Sequence, residues 1–154
     1  KEIDNIRAYL KIQLVMHDNE FRVVEQISDG LNDYMIPKLI LQPLAENAID
    51  HGIDVSDNED PTLWLTIREE AEHIFFEIRD NGAGMTEEMI AKVMEGRAVQ
   101  DEENRYSTGI AVHNVIERLK LYYKQEGLMT IESDGPGTGT KVHIVIPMEK
   151  EELE

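Results

Sequence analysis

The stretch L-Q-P-L-A-E-N-A-I-D-H-G, residues 41–52, has the spacing of an amphipathic helix with a chemically equipped polar face. At about 100° per residue, one side of this helix is apolar, and the other carries Glu46, Asn47, Asp50 and His51. An acid, a carboxamide and an imidazole on one helical strip can serve a metal ion, a phosphate or a water. The same pattern in isolation is typical of a solvated helix face, so its meaning depends on the rest of the chain.

Composition limits the function classes that need to be considered. The chain has 154 residues, the size of one domain with a single core. Its 15 Lys and Arg against 32 Asp and Glu give a formal net charge of -17, which argues against nucleic acid as a partner. An anionic ligand would need a local site, such as unpaired N–H groups at a helix start or in glycine-rich backbone. The absence of cysteine excludes disulfides, thiolate zinc sites and cysteine nucleophiles.

Hydrophobic periodicity predicts alternating helices and strands along the whole chain. Strand-type alternation is found at residues 21–27, 62–68, 73–80, 129–131 and 142–147. Apart from residues 41–52, helical spacing is found at residues 3–16, 87–95 and 109–125. Strands first, last and in the middle, with about four helices between them, predict an α/β two-layer sandwich, with helices on one face of a mixed, mostly antiparallel sheet.

Several local features refine these elements. Pro43 is expected to bend its helix just before the polar strip, because a mid-helix proline leaves an upstream carbonyl unpaired. Thr86 is expected to cap the helix that follows it, and Gly127 to end the helix of residues 109–125. Residues 96–108 are polar and lack a period, which predicts a mobile loop.

Four short motifs occur in a fixed order along these elements. They are Glu46-Asn47 on a helix, Asp80-x-Gly82-x-Gly84 after a strand, Gly109 at a helix start, and a glycine-rich turn at residues 135–140. Each is weak alone, since Asp-Asn-Gly and Gly-x-Gly are common in plain hairpin turns. Their joint occurrence on the right elements is much harder to attribute to chance.

These motifs resemble the signature boxes of the GHKL ATPases, which share the fold of gyrase, MutL and histidine kinases. E-N-A-I-D-H-G at 46–52 resembles the N box, D-N-G-A-G-M at 80–85 the first glycine box, and S-T-G-I-A-V-H-N at 107–114 the second. Within the kinase branch, the chain is similar to LytS/YesM-type sensor histidine kinases. That similarity is found in Y-L-K-I-Q at 9–13, I-P-K-L-I-L-Q-P-L-A-E-N-A at 36–48 and H-N-V-I-E-R-L at 113–119. G-T-G-T-K-V-H-I-V-I-P at 137–147 resembles the closing strand of the kinase branch as a whole.

The resemblance implies a Bergerat-type ATP-binding fold and a particular division of the chain. Residues 1–17 would be a helix continuing from an upstream dimerisation and phosphoacceptor region, residues 18–148 the ATP-binding kinase domain, and residues 149–154 an acidic tail. It implies transfer of the γ-phosphoryl group of ATP to a histidine outside this chain, since the N-P-H-F type acceptor motif is not in the sequence. Full-length relatives would be homodimeric membrane receptors, with this domain in the cytoplasm, that pass the group to a response regulator.

The resemblance and side-chain chemistry together suggest roles for five residues. Asp80 can accept a hydrogen bond from the adenine amine, and Gly82 and Gly84 let the ring approach closely. Asn47 can give Mg²⁺ an oxygen without adding charge. Glu46 can act as the catalytic residue, either by deprotonating the attacking group or, as we favour, by orienting and polarising it or the water shell of the metal ion.

Further nucleotide contacts follow from the second glycine box and from the resemblance. The N–H groups after Gly109 open a helix and can receive the phosphates, with residues 96–108 as a lid. The resemblance also places His51, Met85, Ile110, His113 and Thr140 beside the nucleotide.

Three departures from the family pattern leave two other functions open. Ala111 replaces the second glycine of its box, Asp50 stands where many relatives carry a basic residue, and Met16 replaces a common arginine. Ala111 and Asp50 would suit a nucleotide-binding module whose kinase activity has decayed. A gyrase- or MutL-type ATPase is the other alternative, although the short lid and the closing strand argue against it.

Overall fold

A computed structural model of the protein describes residues 2–17, 20–31, 40–53, 59–95, 98–100, 106–108 and 110–148. The helices are α1 (Glu2–Met16), α2 (Leu41–Ala48), a π-helix (Ile49–Ile53) that continues α2, α3 (Glu87–Met94) and α4 (Ile110–Tyr123). The strands are β1 (Arg22–Ile27), β2 (Thr62–Glu70), β3 (His73–Asp80), β4 (Ala98–Gln100), β5 (Tyr106–Thr108), β6 (Met129–Glu132) and β7 (Thr140–Pro147).

The main sheet has five strands in the order β1-β2-β3-β7-β6. β1 runs parallel to β2, and the other neighbours pair antiparallel. This confirms the predicted α/β sandwich with a mixed, mostly antiparallel sheet. β3 is the central strand, so its last residue, Asp80, lies at an end of the sheet with a strand on either side.

One face of the sheet is packed against the helices, as the alternation of apolar residues predicts. The buried strand residues are Leu63, Leu65 and Ile67 of β2, Ile74, Phe76 and Ile78 of β3, and Val142, Ile144 and Ile146 of β7. They form one core with buried residues of α1, α2 and α4, including Ile6, Leu10, Leu41, Leu44, Val115 and Leu119. Fully burying each large apolar side chain stabilises the fold by about 1.5–3 kcal/mol. The opposite face carries polar and aromatic pairs, such as Arg79 stacked 4.1 Å from the Trp64 ring centroid.

The predicted bend at Pro43 is wrong. α2 begins at Leu41, so Pro43 lies in its first turn, where a backbone N–H has no intrahelical partner and its absence costs little. The departure from α-helical geometry comes instead after the polar strip begins, in the π-helix Ile49–Ile53. Single π turns occur often at functional sites, and this one directly follows Glu46 and Asn47.

Two helix ends and the segment between α3 and α4 were also predicted. The cap at Thr86 is confirmed, since its Oγ1 accepts from the Met89 N–H at 3.1 Å. Gly127 does not end α4: the helix stops at Tyr123, and Lys124 has φ +56, the left-handed conformation that terminates a helix. The prediction of a loop is wrong for β4 and β5, which pair with each other. Three-residue strands are too short to show a period, and the other residues of the predicted loop lie outside the described part of the chain.

Candidate functional site

The Asp80 carboxylate is one of the most deeply buried polar groups among the described residues, with 4% of the residue exposed. β3 carries it to the end of the sheet, opposite Leu63 of β2 and Thr140 of β7. Its Oδ1 accepts from the Gly82 N–H at 2.9 Å, and the carboxylate also accepts a backbone hydrogen bond from Thr140. The donors that the described residues supply to this carboxylate are backbone N–H groups, which fix it in place and leave it acceptor capacity for a ligand.

Burial raises the pKa of Asp80 from 3.8 to about 6, and the hydrogen bonds from Gly82 and Thr140 oppose part of that rise. Desolvation disfavours the charged form, and no cation from the part of the chain that the structure describes offsets this cost. A ligand that donates a hydrogen bond to this group would supply some of the missing stabilisation. Perturbed carboxylates of this kind are candidates for functional groups.

The cost of burying the Asp80 charge should appear in the pH dependence of the free energy of unfolding. Because the folded pKa of Asp80 is above the unfolded value, the folded state binds its proton more tightly, and this contribution to stability is lost as pH rises from about 4 to about 6. A shift from 3.8 to about 6 corresponds to about 3 kcal/mol at 1.36 kcal/mol per unit. In urea denaturation of the nucleotide-free protein, this contribution to the free energy of unfolding should therefore decrease as pH rises across that range. Asp80→Asn should lack it, and the same slope in that variant would contradict the assignment.

The glycine loop, residues 81–85, follows Asp80 and is anchored by Asn81. The Asn81 Oδ1 accepts from the Thr62 N–H at 2.8 Å, and its Nδ2 donates to the Asp60 carbonyl at 2.9 Å. The side chain therefore attaches the loop to the residues that start β2. The sequence reasoning missed this role, although an asparagine directly after a strand often bonds nearby backbone groups.

The glycine-rich turn, residues 135–140, packs directly on the glycine loop. Gly137 N–H donates to the Ala83 carbonyl at 2.6 Å, and Gly139 N–H donates to the Gly82 carbonyl at 3.1 Å. Gly84 and Gly139 have φ +72 and +83, and a Cβ on them would overlap the carbonyls of Gly135 and Asp80 respectively. The turn is thus a support for the loop, and two glycines permit the contact of backbone with backbone.

The polar strip of α2 lies beside the same strand, because α2 and the π-helix both pack against β3. Glu46 and Asn47 are half-buried, while Asp50 is exposed. The Glu46 Oε1 accepts from the Gln42 Nε2 at 3.2 Å, which restrains the carboxylate along the helix. The structure therefore packs the helix that carries Glu46 and Asn47 against the strand that carries Asp80.

The structure describes some of the other predicted site residues and not all of them. Thr140 is half-buried beside Asp80, and Met85 is buried with 6% exposed. His113 is partly used elsewhere: its Nδ1 lies 3.1 Å from the Met94 carbonyl at the end of α3, and its Nε2 lies 3.7 Å from Glu117. Gly109 and the side chains of His51, Ile110 and Ala111 lie outside the described part of the chain.

The chain matches a known protein family. A family model described as histidine kinase-, DNA gyrase B-, and HSP90-like ATPase matches residues 32–150. The chain belongs to this ATPase family. The assignment confirms the resemblance of the sequence motifs and identifies an ATP-binding domain, with ATP as the ligand that the family name implies.

The relatives of this ATPase domain include sensor proteins. The chain is 29% identical over 154 residues to sensor protein LytS of Enterococcus faecalis, covering 100% of this chain and 25% of the relative. It is 30% identical over 149 residues to sensor protein LytS of Bacillus anthracis, covering 96% of this chain and 24% of the relative. The chain thus spans about a quarter of the length of these curated relatives.

Solved structures share the fold of the ATPase domain. A mycobacterial sensor histidine kinase, MprB, has a TM-score of 0.69 at 15% identity, covering 98% of this chain and 99% of that chain. The nucleotide-free catalytic domain of histidine kinase ThkA has a TM-score of 0.67 at 13% identity, covering 95% and 94%. Within the described residues, the ATPase domain has no helix long and apolar enough to cross a membrane.

Proposed function

We propose that this chain is the ATP-binding catalytic part of a sensor histidine kinase, which transfers the γ-phosphoryl group of ATP to a histidine on helices outside the chain. The observation that carries the proposal is the Asp80 carboxylate, which is buried with no cationic partner among the described residues and is supported by two glycine-rich segments. The similarity to LytS sensor proteins over nearly the whole chain supports the kinase branch of the family.

Adenine is the group that the Asp80 site suits. Its exocyclic amine donates hydrogen bonds, and an ionised, poorly solvated carboxylate is a strong acceptor for such a donor. Gly82 adds no side chain beside the carboxylate, so a flat ring can approach it. Met85 and Thr140 lie close along the chain or sheet and complete the proposed purine site.

The phosphates and Mg²⁺ are assigned to the helical side of the site. The described residues contain no group of three or more His, Asp or Glu side chains that could hold a metal ion alone. Mg²⁺ does not need one, since it commonly takes one or two protein oxygens together with substrate phosphates and waters. Asn47 fits that requirement, and bound Mg²⁺ would supply charge neutralisation for the transferred group. The start of α4 at Ile110, with Gly109 before it, would offer N–H groups to the phosphates.

Glu46 is the proposed catalytic residue of this chain. Its hydrogen bond from Gln42 holds the carboxylate in one orientation, which suits a group that polarises or orients the attacking group or its water. His51 and His113 remain proposed contacts near the phosphates. The contact of His113 with Met94 gives it a second task, joining α4 to α3.

The proposed partners lie in the rest of the full-length protein and beyond it. They are the upstream phosphoacceptor helices of the same protein, a response regulator that receives the phosphoryl group, and a second copy of the full-length kinase. Attachment to a membrane would come through other parts of that protein, with this domain on the cytoplasmic side.

The kinase proposal is tested in the full-length protein with ATP labelled in the γ-phosphate. We expect acid-labile labelling of a histidine outside this chain, and at least a tenfold slower rate in Asn47→Ala, because Mg²⁺ loses a protein oxygen. Asn5→Ala removes an exposed carboxamide on α1, outside the four motifs, and serves as the matched control.

Three outcomes would count against the proposal. Equal labelling in the Asn47→Ala and wild-type proteins would remove Asn47 from the metal site. Binding of ATP without any labelling would favour a nucleotide-binding module with decayed activity. Nucleotide-driven dimerisation of the isolated chain would favour a gyrase- or MutL-type ATPase.

A further inference from the structure

The Ser133 hydroxyl lies between the glycine loop and the glycine-rich turn, immediately after β6. It is half-buried, and its Oγ accepts from the Met85 N–H at 3.0 Å and from the Gly135 N–H at 3.3 Å. It donates to the Gly139 carbonyl at 2.7 Å, while the Gly135 carbonyl is farther away at 3.4 Å. A hydroxyl has one proton and two acceptor positions, so these three bonds use its full capacity.

Ser133 provides the side-chain hydrogen bond that joins the two segments within the described residues. The other bonds between them, from Gly137 to Ala83 and from Gly139 to Gly82, are formed by backbone atoms. The loop is thus held at three points, Gly82, Ala83 and Met85, and Ser133 holds the last of them. Asp80 holds the first part of the loop through the Gly82 N–H.

The loop needs such an attachment because its own sequence supplies little stiffness. Two of its five residues are glycines and a third is alanine, so its backbone has many accessible conformations and few side-chain anchors. A loop that is already ordered spares a ligand the cost of ordering it on binding.

We propose that Ser133 is a positioning residue for the base of the nucleotide. This inference rests on the proposed adenine contact at Asp80. The Ser133 Oγ holds Met85 and the end of the glycine loop against the turn. The loop backbone and the Asp80 carboxylate are thereby kept at a fixed distance from each other, and a flat ring can bind against both.

Base selectivity separates this role from simple support of the fold. Adenine presents an amine donor to the Asp80 carboxylate, whereas guanine presents a carbonyl acceptor at the same ring position and gains nothing from it. Fixed geometry therefore favours ATP over GTP. When the loop relaxes, ATP loses more affinity than GTP, and the preference for ATP becomes smaller.

The test compares Ser133→Ala with Thr138→Ala by calorimetric titration of this chain with ATP and with GTP. Thr138 is a matched control because its Oγ1 also donates to a carbonyl of the turn, that of Gly135 at 2.6 Å, but forms no bond to the glycine loop. We expect Ser133→Ala to bind ATP about tenfold more weakly, with a smaller loss for GTP. Thr138→Ala should stay within about twofold of wild type. Hydrogen exchange at the Met85 amide should accelerate only in Ser133→Ala, since that N–H loses its acceptor.

Unchanged ATP affinity together with faster exchange at Met85 would overturn the inference, because the bond would then be broken without consequence. An equal loss for ATP and GTP would also overturn it. Should Ser133→Ala not fold, Ser133→Cys keeps a weak donor and acceptor of similar size, and it should show the same loss of selectivity to a smaller degree. Failure of the proposed function gives a different result, namely no ATP binding by the wild-type chain or equal binding by Asp80→Asn.

Discussion

An Asp80→Asn variant is expected to lose most of its affinity for ATP and yet to be a more stable protein without nucleotide. The Asp80 Oδ1 is engaged by the Gly82 N–H. If the asparagine oxygen keeps that bond, its NH₂ group replaces the acceptor that the adenine amine requires, and two donors then face each other. A mismatched buried hydrogen bond costs about 2–3 kcal/mol, so we expect affinity to fall by about 30-fold to 100-fold.

The gain in stability has the same origin as the loss of binding. Above pH 6 the wild-type protein carries an ionised carboxylate that burial disfavours, as its raised pKa of about 6 records. A neutral amide removes that cost, and we expect about 1–2 kcal/mol of added stability at pH 7.5 by urea denaturation. Opposite signs for binding and stability are the mark of a functional group kept at the expense of the fold.

The control is Asp4→Asn, which makes the same charge change at an exposed position of α1. Both ATP affinity and stability should stay close to wild type. If Asp80→Asn binds ATP as tightly as wild type does, adenine is not held by this carboxylate. If Asp80→Asn loses both binding and stability, Asp80 is a structural residue and its ionised carboxylate does not destabilise the fold at neutral pH.

The fold could be predicted largely from the sequence because its central strands are long and bury their apolar residues on one face. Buried residues alternate with more exposed ones from Leu63 to Ile67 of β2 and along all of β3, and a one-residue slip would turn every core residue outward. The order of the motifs also predicts a site. The structure pairs Asp80 with Thr140 and packs the helix of Asn47 against β3, while the roles of these residues at a nucleotide stay predictions.

The features that the sequence did not reveal depend on contacts between distant segments. Ser133 is an ordinary polar residue until the turn folds onto the glycine loop, 48 residues before it in the chain. The left-handed conformation of Lys124 is set by how α4 joins β6, since lysine has no local preference for it. The π-helix after Asn47 has no compositional pattern that predicts it. Pro43 suggested a bend before the polar strip, whereas the irregular turn comes after the strip has begun.

A methyl group at Gly139 is expected to remove nucleotide binding and much of the stability together. A Cβ on Gly139 would overlap the Asp80 carbonyl, an atom of the central strand that cannot easily move aside. The residue also has φ +83, which disfavours any side chain. We expect Gly139→Ala to destabilise the protein by about 3–4 kcal/mol, from about 1–2 for the backbone conformation and the rest for the overlap. ATP binding should become undetectable by calorimetry, because the displaced backbone carries the Asp80 carboxylate with it.

Gly137→Ala separates the two causes. Gly137 lies in the same turn with φ +80, and a Cβ there would meet nothing within 4 Å. Gly137→Ala should therefore destabilise the protein only through the unfavourable backbone conformation, by about 1–2 kcal/mol, and leave ATP affinity near wild type. The difference between the two variants measures the contact between the turn and the end of β3. Equal effects on stability would mean that this contact is loose, and intact ATP binding in a folded Gly139→Ala protein would mean that the turn does not position Asp80.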